Sequence, residues 1–195
     1  MRARFNNTFD VIASGSNISN FEWILAYMFQ PLDISEISFE NNHSIAEELG
    51  AIENPYSLLE TKQTPYKLYQ ADNTGSSEWL VPITNNQYKT LNSALEEMKN
   101  NEQTFLVWAT IPNDANIAVE NLAENHVFVS ISSKQIGDNQ LTVSMVESIL
   151  ATAYTYGFQQ VTLDIGLDQI GKYDLTAPID TTNQINIVDL NEAAS

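Results

Sequence analysis

The sequence contains no cysteine. That absence removes disulfide frameworks, thiolate zinc sites, iron–sulfur ligation and a cysteine nucleophile together. Basic residues are also scarce: 8 Lys and Arg stand against 25 Asp and Glu, a net charge of −17. Docking on nucleic acid or on an anionic leaflet needs basic surface, so both are disfavoured as partners. Long apolar runs are lacking too. Residues 23–29 and 105–109 fall far below the roughly 20 needed to cross a membrane. The short apolar stretch 9–13 after Arg2 and Arg4 is much shorter than the core of a signal peptide. These absences lead to the expectation of a soluble, cytoplasmic protein with no membrane or direct nucleic-acid contact.

No repeat, low-complexity block or Gly/Ser linker divides the chain. The expected organisation is one domain over residues 1–195, less regular before residue 72 and with an atypical tail after residue 171. A chain of this length buries roughly 70% of its unfolded surface and needs no disulfide or metal staple.

What is present is well punctuated. Ser19 and Glu22 form a capping box, Ile18 and Trp23 a hydrophobic staple, and Pro31 stops the helix they open. Ser44 and Glu47 repeat the box before a short helix ending at Gly50. Thr84 and Gln87 open a third, whose apolar positions Tyr88, Leu91, Leu95 and Met98 share one face. Strands are expected at residues 8–13, 34–39, 66–70, 79–81, 105–111, 127–132, 161–165 and 185–190. Helices at 114–125 and at 144–156, the latter closed by Gly157, complete a βαβαβ unit across residues 105–165. The fold class is α/β with a mixed or mostly parallel sheet, α+β being the alternative.

Motifs that carry chemistry are few. No G-x-S-x-G elbow or S-x-x-K is present. Gly15, Ser16 and Asn17 lead from a strand into a helix N-terminus, where free N–H groups attract phosphate or carboxylate. A dinucleotide loop would need more glycines and a P-loop a lysine, so an ordinary βα turn competes with ligand binding there. His126 has no metal-ligating partner at i+4, and His43 has only Glu47 there, a pair too small to make a metal site by itself. Asp164, Asp168 and Asp174 cluster around Gly166 and Gly171, but their spacing fits no calcium loop, and a solvated turn competes with weak divalent-cation binding. No metal and no cofactor is expected. Trp23, Trp79 and Trp108 sit in periodic segments and are expected in the core. Tyr154 and Tyr156 cannot both face inward from one helix, so one should be exposed.

Residues 72–131 resemble the N-terminal domain of SseB-type proteins, in Asp72-Asn73-Thr74-Gly75, Leu80-Val81-Pro82-Ile83-Thr84, a helix carrying Leu91 and Ala94, and Glu102-Gln103 before Phe105-Leu106-Val107. The family's aromatic-rich segment after the Pro is absent. The resemblance implies an α/β domain without established catalytic residues. Three functions remain open: a non-catalytic, acidic module binding a protein partner that could be basic; a decoy imitating phosphate spacing; and an enzyme assembled from scattered residues, with His126, Asp114 and Asp164 as participants.

Overall fold

Apolar and alternating runs become strands, and the computed structural model shows which of them pair. It describes residues 2–4, 22, 25–26, 29, 34–40, 55–58, 63–70, 78–83, 86, 88–102 and 106–182. Contacts divide the chain into two units, Met1–Thr61 and Lys62–Ser195. No helix among the described residues is long and apolar enough to cross a membrane.

In the first unit, β1 (Arg2–Arg4) runs parallel to β2 (Glu36–Glu40), and β3 (Tyr56–Ser57) pairs antiparallel on the other side of β2. Between β1 and β2 in sequence, Glu22, Leu25, Ala26 and Phe29 are helical, which fits the helix expected there. Leu25, Ala26 and Ile37 are buried, and the Tyr56 hydroxyl donates to Glu22 at 3.1 Å. The Ser19 and Ser44 caps and the strands expected at 8–13 and 185–190 lie outside the described residues.

The second unit has two principal sheets. One has the order β5-β4-β6, built from β4 (Tyr66–Gln70), β5 (Glu78–Pro82) and β6 (Val107–Trp108), all antiparallel. The other has the order β12-β9-β8-β7, from β7 (Asn116–Ala123), β8 (His126–Ser132), β9 (Gln160–Asp164) and β12 (Ile179–Asp180). A two-stranded ribbon, β10 (Gln169–Ile170) with β11 (Tyr173–Asp174), stands apart from both. The helices are α1 (Leu91–Glu97) and α2 (Gln140–Thr155).

The expected crossover is present: β8 and β9 are parallel, Val127 opposite Val161, and α2 connects them. Gly157 ends the connection at φ +86°, a conformation glycine adopts without strain. The helix expected at 114–125 is instead strand β7, antiparallel to β8 through the two-residue turn Glu124-Asn125. Its half-buried side chains, Ile117 and Val119, alternate with exposed ones at a strand's period of two. Ala118, Leu122 and Ala123 are good helix formers, but pairing with β8 overrides so weak a propensity. The sheet is therefore mixed, and residues 107–164 run strand, strand, strand, helix, strand.

The helix expected from Thr84 begins later. Thr90 is its N-cap, and its side chain and that of Ser93 satisfy each other's backbone N–H groups at 3.2 Å. Leu91, Leu95 and Met98 are buried as their spacing requires, while Tyr88 precedes the helix. The face of α2 bearing Val146, Ile149, Leu150 and Ala153 belongs to one core with Val127, Val129, Ile131, Val161 and Leu163 of the sheet.

Hydroxyls on α2 also close a sheet edge. Successive outward N–H groups of β4 need acceptors, and β6 is only two residues long. Gln70 N–H donates to Leu106 O at 3.1 Å. Further back, Tyr66 N–H donates to Thr152 Oγ1 at 3.0 Å and Thr64 N–H to Thr155 Oγ1 at 3.2 Å. Thr152→Val keeps the shape but removes an acceptor, leaving a buried N–H unpaired at a cost of about 1–3 kcal/mol. Ser148→Ala should cost far less in urea unfolding, because Ser148 Oγ bonds only Met145 O of its own helix. Equal losses for the two variants would refute this account of the edge.

Candidate binding cleft

Lys67 lies on the central strand β4, and its side chain is completely buried. Its Nζ donates to Glu97 Oε1 at 2.8 Å and to Glu102 Oε1 at 2.7 Å, so β4 is tied to the end of α1 and to the segment that follows. Residues 98–101 are held between those two anchors. Met98 O accepts from the N–H groups of Thr110 and Ile111 at 3.0 and 3.2 Å, and Asn101 Oδ1 accepts from Ala109 N–H at 2.8 Å. Opposite, Asn139 caps α2, its Oδ1 accepting from Thr142 N–H at 3.0 Å.

These constraints leave a cleft of about 610 Å³ between residues 99–101, the 109–113 segment, residues 135–136 and the first turns of α2. Among the described residues, no Asp, Glu, His or aromatic side chain lines it, although the chain has 25 acids. Carboxamides dominate its polar part, and their internal bonds decide what each still offers. Asn101 and Asn139 use their oxygens internally and retain N–H donors. Asn100 and Gln135 use their nitrogens, on Glu97 at 3.3 Å and Asp114 at 3.0 Å, and retain acceptors. Lys99 Nζ is held by Glu96 at 3.0 Å and Ala115 O at 2.9 Å. Leu68, Ile136, Leu141 and Met145 supply apolar wall, Leu141 being 66% exposed. Thr110 also lines the cleft. It is 8% exposed, and its Oγ1 is the one buried side-chain polar atom among the described residues without a hydrogen-bond partner. Such a group costs stability until something pairs with it.

The residues singled out for chemistry are placed elsewhere and apart. His126 opens β8, half-buried, with Nε2 2.8 Å from Thr162 Oγ1. Asp164 stands opposite Ser130, four residues further along β8, which at about 3.3 Å per residue separates it from His126 by about 13 Å. Asp114 accepts from Ser133 Oγ at 2.6 Å and from Gln135, and the Ser133 bond chiefly holds its carboxyl below the usual range. The structure does not assemble these three into one site. Asp164 accepts from Gly166 N–H at 3.2 Å, and Asp174 from Thr176 N–H and Oγ1 at 2.9 and 2.6 Å, so both stabilise their own turns. Among the described residues no group of three or more acids and histidines could hold a metal. Gly15, Ser16, Asn17 and His43 lie outside the described residues.

Two aromatic expectations need correction. Trp79 on β5 and Trp108 on β6 are 40% and 42% exposed, so neither is a core residue. Of the tyrosine pair, Tyr154 is exposed and Tyr156 half-buried, its hydroxyl donating to Tyr88 O at 2.6 Å. Sequence reasoning missed Lys67 and the cleft. A lysine inside the apolar strand Tyr66-Lys67-Leu68-Tyr69 was the available signal.

Glu97→Gln combined with Glu102→Gln strands a buried ammonium and should cost about 3–5 kcal/mol in urea unfolding. Lys67→Met should cost less, because both carboxylates still reach water. The reverse order would show that Lys67 is not held by its charge. At high pH the tyrosines dominate. Burial, reinforced by Tyr88, pushes the Tyr156 hydroxyl from its ordinary 10.0 up to about 12, and burial beside Glu147 pushes Tyr173 up as well. A raised folded-state pKa contributes stability below the unfolded value that is lost as pH rises. The melting temperature should therefore fall between pH 10 and 12, and Tyr156→Phe should flatten that fall.

No family model matches the chain, so the SseB-type resemblance rests on residues 72–131 alone. Among characterised proteins, the anti-sigma-X factor RsiX of Bacillus subtilis (strain 168) is 29% identical over 139 residues, 69% of this chain and 36% of that protein. The match thus spans about a third of the relative's length. Among solved structures, the tandem GerMN domains of the sporulation protein GerM from Bacillus subtilis align with a TM-score of 0.57 at 15% identity, covering 89% of this chain and 71% of that one. The likeness to GerM is one of fold.

Proposed function

We propose that this chain is a non-catalytic, protein-binding regulatory module, working in the kind of control that its anti-sigma relative exerts. The observation that carries the reading is the cleft, whose groups are suited to holding a partner and not to reacting with one. Its carboxamides do not exchange protons near neutral pH, its lysine is already paired, and among the described residues no acid, histidine or nucleophile–base pair faces it. The dispersal of His126, Asp114 and Asp164 supports the same view. So does the match to an anti-sigma factor over 69% of the chain.

Regulation of this kind has a direct readout. Deleting the gene should change the abundance of one coherent set of transcripts sharing a promoter type, and restoring the wild-type gene should reverse the change. A transcriptome unaffected by deletion, under growth conditions in which the protein is made, would remove the regulatory reading.

A further inference from the structure

We propose that the cleft receives an extended peptide segment of a partner protein, read through its main-chain amides, with an apolar side chain seated against Leu68, Ile136, Leu141 and Met145. This inference rests on the protein-binding reading above and names the chemistry of the partner. A peptide main chain presents N–H donors and C=O acceptors in alternation. The cleft offers the complement: donors on Asn101 and Asn139, acceptors on Asn100 and Gln135, and the Asn113 carboxamide between them in sequence.

Other ligand classes fit less well. Nucleobases are normally stacked on aromatic or guanidinium planes, and sugars pack their C–H faces on aromatic rings, yet among the described residues no aromatic side chain or arginine lines this cleft. An anionic ligand would need an unpaired cation, and Lys99 is committed to Glu96 and Ala115. A second copy of the chain would bring another net charge of −17. The volume of about 610 Å³ is that of a site for a short segment, within the usual range of about 300–1,000 Å³ for ligand pockets. Thr110 adds an independent observation, since a residue of the cleft wall carries a buried hydroxyl without a partner.

The test is selection of a displayed library of random twelve-residue peptides on the full-length chain, followed by fluorescence polarisation with the recovered peptides. Enriched peptides should carry an apolar residue and bind wild type saturably. Leu141→Lys and Asn113→Leu, at exposed positions where folding is not at stake, should each weaken binding on the order of tenfold. Thr110→Val should weaken it several-fold without lowering thermal stability. Failure to enrich any peptide would overturn the inference. So would binding indifferent to all three variants, or displacement of the peptides by neutral oligosaccharides such as maltohexaose. Its failure is distinguishable from failure of the regulatory reading. A transcriptional response to deletion without peptide binding would sink only the cleft's assignment, and peptide binding without a transcriptional response would sink only the regulatory role.

Discussion

The ammonium of Lys67 is the constraint on which the cleft depends. Removing such a group from water costs several kcal/mol, and only close, well-placed carboxylates offset it. Glu97 and Glu102 do so at 2.8 and 2.7 Å, each keeping part of its surface in solvent. A salt bridge of this sort contributes little net stability, but it admits few alternative arrangements. The end of α1 and the chain after it must therefore lie beside β4. The carboxamides of Asn100 and Asn101, between the two anchors, inherit that placement.

Helix α2 makes a second kind of commitment. Along its buried side, Ser144, Ser148 and Thr152 accompany Met145, Ile149 and Ala153, so the helix is polar and apolar on surfaces that are both covered. Small hydroxyl side chains permit a close approach, and Thr152 and Thr155 supply acceptors that a third strand of full length would otherwise provide to β4. One helix thus seals the core of one sheet and the edge of the other. Its N-terminal turns, capped by Asn139, remain free to form a wall of the cleft.

Much of this fold was legible. Strands β4, β5, β8 and β9 fall where their apolar runs indicated, and the parallel β8-α2-β9 crossover follows from their order. Strand β7 was not legible, because an edge strand with only Ile117 and Val119 half-buried shows too weak an alternation to outweigh good helix formers. The later start of α1 was hidden by competing caps: Thr84 with Gln87 matches the capping pattern in sequence, whereas Thr90 with Ser93 uses a shorter reciprocal pair. The cleft was illegible for a different reason. Asn and Gln are abundant throughout, and only tertiary bonds decide which of their amide ends is left unused.

Strand β7 has a colloidal consequence. It is the longest strand described, and it lies at the margin of its sheet, where unpaired main-chain groups can template pairing with another molecule. Two features blunt that margin: the irregularity between Asn121 and Ala123, and the outward charge of Glu120. Repulsion between molecules of net charge −17 does the rest at neutral pH. As acidity approaches the isoelectric point of about 4.1, that repulsion vanishes while the strand's geometry stays the same. The acidic composition thus opposes edge-to-edge joining of copies of this chain at neutral pH.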